Sequence, residues 1–100
     1  MKYTAEKRIE IKLQIPDTFL SDEALIGFSR YMFPVHSKDE MAHYIASQIL
    51  AITSMGYRTA VYIEGVGDAF ETDEADFAES PSAIEYWIDD ECVSTNKVFS

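Results

Sequence analysis

Cysteine, proline, glycine and long apolar runs are all scarce in this 100-residue chain: one Cys, three Pro, four Gly. A lone Cys92 can form no disulfide within the chain and cannot begin a cysteine-based zinc site. The most apolar stretch, residues 41–55, is broken by His43, Ser47, Gln48, Thr53 and Ser54, so it is too short and too polar to span a bilayer. The opening MKYTAEKRIEIKL holds neither the apolar stretch nor the small-residue cleavage site of a signal peptide, and a cytoplasmic location is expected. Bases are few as well, 8 against 18 acids, for a net charge of −10. Gripping phosphate takes Lys and Arg, so direct binding to DNA, RNA or an anionic membrane is not expected. A basic partner is, and such partners are often proteins that bind nucleic acid.

The acids are unevenly placed. Residues 1–63 balance seven acids (Glu6, Glu10, Asp17, Asp22, Glu23, Asp39, Glu40) with seven bases (Lys2, Lys7, Arg8, Lys12, Arg30, Lys38, Arg58). Residues 64–100 carry eleven acids (Glu64, Asp68, Glu71, Asp73, Glu74, Asp76, Glu79, Glu85, Asp89, Asp90, Glu91) against Lys97. Phe70, Phe77, Ile84, Tyr86, Trp87 and Ile88 are interleaved with these acids and need burial, which argues against a disordered tail. If the apolar residues point inward, the carboxylates are forced onto one outward surface. An ordinary solvated face is the competing reading, but such faces normally mix signs to limit self-repulsion.

With 47% hydrophobic and 13% aromatic residues, residues 1–100 can build the core of a single domain. Ile9, Ile11, Leu13 and Ile15 alternate with polar residues, which predicts a half-buried strand over 8–15 ended by Pro16-Asp17. Ser21 or Asp22 caps a short helix with Leu25, Phe28, Met32 and Phe33 on its apolar face, weakened by Gly27 and stopped by Pro34. Ser37-Lys38-Asp39-Glu40 reads as a capping box. The helix it opens places Met41, Tyr44, Ile45, Ile49, Ile52 and Met55 on one face, with Gly56 as C′ residue. Residues 57–64 (YRTAVYIE) predict a second strand, ended by Gly65-Val66-Gly67-Asp68, and residues 69–79 a loop or a loop with a short strand near Phe77.

Residues 80–93 fit two patterns. Ser80-Pro81 would cap a helix bearing Ile84, Trp87, Ile88 and Cys92, while Ile84, Tyr86 and Ile88 alternate as in a strand. The helix is narrowly favoured, although Asp89, Asp90 and Glu91 would sit badly at its C-terminus. The expected architecture is α+β, a small antiparallel or mixed sheet packed by two or three helices. Its order is roughly β-α-α-β followed by an acidic C-terminal α or β segment.

No residue set in the chain has the spacing of a catalytic or metal motif. Asp39, His43 and Ser47 resemble a triad in letters, but i, i+4 and i+8 on one helix span about 12 Å, too far for a relay. His36 and His43 want a third metal ligand that the local spacing does not supply, so no metal and no cofactor are expected. Asp68, Phe70 and Thr72 break the EF-hand spacing, and Gly65-Val66-Gly67 lacks the third glycine and the Lys of a phosphate loop. Cys92 is expected as a small core residue.

The stretch EGVGDAFETDEADFAESPSAIEYWIDDE, Glu64 to Glu91, carries a class-level resemblance. In length, composition and lack of an enzyme signature, the chain resembles small acidic inhibitors of phages and mobile elements, such as anti-CRISPR proteins and uracil-DNA glycosylase inhibitors. The resemblance implies a non-enzymatic inhibitor, in the host cytoplasm if phage-encoded, that occupies a basic nucleic-acid-binding site on a protein or complex, a CRISPR effector being favoured. Acids on alternate strand positions stand about 6.6 Å apart, a repeating line of charge that could mimic DNA. The charge contacts expected are Asp68, Glu71, Asp73, Glu74, Asp76, Glu79, Asp89, Asp90 and Glu91, with any exposed member of Phe70, Phe77, Tyr86 or Trp87 as anchor. An immunity or antitoxin-type protein that covers a basic nuclease toxin is the alternative, and a small enzyme working through His43 a third class.

Overall fold

The computed structural model describes residues 1–55, 60–73, 76, 77, 79 and 81–99, with residues 97–99 described by their backbone alone. In chain order the elements are β1 (Lys2–Gln14), a 3-10 turn (Asp17–Phe19), α1 (Asp22–Tyr31), α2 (Lys38–Thr53), β2 (Ala60–Ile63), β3 (Gly67–Glu71) and β4 (Ile84–Phe99). The fold is α+β: a mixed four-stranded sheet in the order β1-β4-β3-β2, with two helices. β1 pairs antiparallel with β4, β4 parallel with β3, and β3 antiparallel with β2.

The alternation in β1 does what the period of two requires. Ile11, Leu13 and Ile15 pack against the core, while Lys12 turns to the opposite face of the sheet and lies 5.1 Å from the Trp87 ring. Ser21 caps α1, its Oγ accepting the Ala24 N–H at 3.2 Å, and Leu25 and Phe28 are the buried residues of that helix. At α2, Ser37 Oγ accepts the Glu40 N–H at 3.1 Å. The reciprocal bond of the capping box falls one residue early, because Glu40 Oε2 accepts the N–H of His36 at 2.8 Å. Met41, Ile45, Ile49 and Thr53, four residues apart, form the buried row of α2. Met55 lies past the helix end and is exposed; Gly56 and residues 57–59 lie outside the described residues.

Two expectations change. Gly65-Val66-Gly67 ends β2 as a turn, Val66 N–H donating to the Ile63 carbonyl at 3.0 Å, but the chain returns at once as β3, Gly67–Glu71, where a loop, or a loop with a short strand only near Phe77, was expected. Gly65 takes φ +81°, and a Cβ there would lie 2.6 Å from Met32 Cγ, so the turn is pinned against α1. Residues 84–93 form strand, not helix. Leu13 pairs with Tyr86 and Ile11 with Ile88, and Ile84 and Tyr86 are both fully buried by the two-residue alternation. In the strand, Asp90 and Glu91 face β1, where a helix would have stacked them on its negative end.

The core joins Leu25, Phe28, Val35, Met41, Ile45 and Ile49 to Val61, Ile63, Ala69, Ile84 and Tyr86 from the sheet. β3 pairs with β4 only as far as Tyr86, so from Lys12↔Trp87 outward the sheet is two strands wide. Residues 1–8 and 92–96 are exposed at every position, hence on both faces, and form an arm that leaves the body. The Cα radius of gyration of 16.3 Å records it, against about 13 Å for a compact chain of this length. Among the described residues no helix is long and apolar enough to cross a membrane.

Candidate partner-binding surface

The pairing of β1 with β4 undoes part of the charge separation present along the chain. Lys7 Nζ lies 3.1 Å from Glu91 Oε1, and Arg8 lines a hollow with Glu10, Asp90 and Cys92. Two of the acids expected to face a partner, Asp90 and Glu91, therefore already stand beside bases of this chain. Cys92 is exposed opposite Arg8, where a core position was expected, because β4 has left the body by that point.

Register assigns the remaining candidates to three places. Tyr62 pairs with Asp68, Ala60 with Phe70, Phe70 with Glu85, Trp87 with Lys12, and Asp90 with Glu10. Paired residues share a face, so Asp68, Phe70, Trp87 and Asp90 lie together on the side of the sheet turned away from the core. Glu71, Thr72, Asp73 and Asp76 line a separate hollow where β3 ends. Glu79 lines another with Asp17, at the Gln14 end of β1. Among the described residues the carboxylates fall in these separate places rather than in one array. Phe77 is half-buried, and Glu74 lies outside the described residues. Tyr86 leaves the set of anchors: at 0% exposure it belongs to the core, the consequence of strand alternation placing it opposite Trp87.

Sequence reasoning missed Tyr62, which is 66% exposed on the same outer face as Phe70. The signal was present, since Val61 and Ile63 turn inward and the intervening residue must turn out. Asp89 is the extra residue of a bulge, because the register moves from Glu10↔Asp90 to Ile11↔Ile88.

A further concave region lies along α2. Phe33, Pro34, Val35, Asp39, Glu40, His43, Tyr44 and Ser47 line a hollow of about 490 Å³. Phe28, Phe33 and Tyr44 support it with mutual ring contacts at 5.0–5.2 Å. The Tyr44 hydroxyl donates to the Glu64 carbonyl at 2.8 Å, tying α2 to the β2–β3 turn. Burial raises the Tyr44 pKa from its ordinary 10.0, and the negative charge of Glu64 and the Tyr62 phenol push the same way. Ser47 Oγ donates to the backbone carbonyl of His43 at 2.7 Å, a bond within its own helix rather than to the imidazole. No group of three or more His, Cys, Asp or Glu side chains among the described residues is placed to hold a metal ion. Comparison with protein-family models, with curated proteins and with solved structures finds no match in any of the three.

Proposed function

We propose that this protein acts by binding, as a non-enzymatic inhibitor that occupies a basic nucleic-acid-binding site of another protein or complex. The observation that carries the reading is the outer face of the sheet, where exposed Tyr62 and Phe70 and half-buried Trp87 stand with Asp68 and Asp90. Aromatic anchors ringed by charge are the usual make-up of an interface that concentrates its binding energy in a few residues. Asp68, Asp73, Asp76 and Asp89 are exposed and have no ion pair among the described residues, which leaves their charge to attract a Lys/Arg-rich surface. Because the acids fall in separate places, the surface suits docking over a basic patch better than imitation of a DNA backbone. A complex that holds nucleic acid in a basic channel, such as a CRISPR effector, is the favoured target.

The test is a competition assay on the protein captured from host lysate. Wild type should displace nucleic acid from that protein, more strongly at low salt than at high salt. The triple variant Asp68→Lys, Asp73→Lys, Asp76→Lys should retain its circular dichroism spectrum and lose the displacement. A folded triple variant that still displaces nucleic acid overturns the reading.

A further inference from the structure

β1 is an edge strand over Lys2–Gln14, since the sheet order places β4 on one side of it and, among the described residues, no strand on the other. For residues 2–8 the strand has no helix over it either. A two-stranded ribbon in water is marginally stable, and an open edge is a template for another strand. Proteins usually guard such an edge with scattered lysines, of which β1 has Lys2, Lys7 and Lys12, or with a bulge in the edge strand. Here the bulge near the middle lies in β4, at Asp89, so β1 itself runs regularly from Tyr3 to Gln14.

The charges on β1 are arranged to attract a copy of itself. Placed antiparallel to a second β1 about a two-fold axis at Ile9, the strand brings Arg8 opposite Glu10 and Glu6 opposite Lys12, each pair formed twice. On the core-side face Ile9 meets its equivalent, Lys7 meets Ile11 and Ala5 meets Leu13. Neighbouring registers that preserve the faces fail. A shift of one residue in the centre, to Arg8, sets Arg8 against Arg8 and Glu6 against Glu10. The opposite shift, to Glu10, sets Glu10 against Glu10 and Arg8 against Lys12. Of these three registers only the Ile9-centred one sets no like charges opposite each other and forms two kinds of opposite-charge pair, with Lys7 already paired to Glu91 of its own chain, and side-chain alternation makes register a strict choice.

We propose that the occupant of this edge is a second copy of the chain, joined through β1 in the Ile9-centred register to give one eight-stranded sheet. The two-fold axis stands perpendicular to the sheet, so both outer faces, with Tyr62, Phe70 and Trp87, lie on the same side of the dimer. The arm then becomes the interior of a sheet instead of a free ribbon.

Sedimentation equilibrium of the full-length chain, with subunit mass 11.4 kDa, tests this. Wild type should sediment as a dimer. Arg8→Glu, which makes two attractive pairs repulsive, should weaken the dimer by about tenfold or more, as should Glu10→Arg. The double variant Arg8→Glu, Glu10→Arg re-creates the pair with signs exchanged and should restore wild-type association. In a Cys92→Ser background, oxidation should cross-link Ile9→Cys to its equivalent but not Thr4→Cys, whose equivalent lies far along the partner strand. A monomeric wild type, a dimer indifferent to both single reversals, or a double variant no better than either would each overturn the proposal.

Discussion

β1 and β4 run through both parts of the molecule, and the same two strands behave differently in each. In the body, Ile11, Leu13, Ile84 and Tyr86 pack with Leu25, Phe28, Ile45 and Ile49 of the helices, which buries Ile84 and Tyr86 fully and Ile11 and Leu13 in part. In the arm the alternation continues without a cover, and Tyr3 and Val93, on the same face as Ile11, stand 62% and 68% exposed. Strand pairing is equally regular in both. What differs is burial, which is where most stabilisation in water comes from. The body should therefore carry nearly all the folding free energy, and the arm should carry contacts to other molecules.

Truncating one side chain in each part gives the largest test of this division. Ile49→Ala removes three carbons from a fully buried site and should cost about 2–5 kcal/mol in chemical denaturation. Val93→Ala, on the arm, should stay within about 0.5 kcal/mol. Comparable losses at the two sites would mean that the arm is packed against something and would erase the distinction.

A smaller effect distinguishes how the two parts are tied. The β2–β3 turn is locked by Gly65, whose positive φ and closeness to Met32 and Phe28 leave no room for a side chain. Gly65→Ala should cost about 2 kcal/mol, from left-handed backbone strain together with overpacking, and lower the thermal midpoint. Among the described residues the arm shows no glycine lock of this kind; it is held by the ladder from Lys2↔Phe99 inward, and the exposed Lys7–Glu91 pair adds little. A neutral Gly65→Ala would mean that the turn is not pinned.

The body was largely legible in the sequence and the arm was not, for one physical reason. Burial imposes a pattern: Ile9 to Ile15 showed a period of two, the Ser37–Glu40 box showed a helix start, and Ile45 and Ile49 showed its buried face. Residues 2–8 are exposed on both faces, so no hydrophobic pattern distinguishes strand from coil there. β3 was missed because GDAFE carries no β-branched residue and takes its identity from neighbours on both sides. β4 was ambiguous because Ile84, Trp87 and Ile88 satisfy a helical period while Ile84, Tyr86 and Ile88 satisfy a strand, and only pairing with β1 decides between them. The site shared that limit. The acids could be counted, but which of them β1 would bring beside Lys7 and Arg8 depends on contacts about eighty residues apart in the chain.

The smallest expected effect concerns the link between α2 and the β2–β3 turn. Tyr44 holds its proton above the ordinary phenol pKa of 10.0, mainly through burial and secondarily through Glu64 and Tyr62. The unfolded chain ionises at the ordinary value, so the stabilisation from the protonated phenol is complete below pH 10. It is lost as pH rises from there through the folded value. Tyr44→Phe keeps the ring contacts with Phe28 and Phe33 and removes only the hydroxyl and its bond to the Glu64 carbonyl. At pH 7 it should cost about 1 kcal/mol or less, because the freed carbonyl belongs to an exposed residue that water can reach. Above pH 10 its stability should fall less steeply than that of wild type, so the two curves converge. Parallel curves in denaturation at pH 7 to 11 would show that the phenol titrates alike in both states, and coincident ones that the turn is held without help from the hydroxyl.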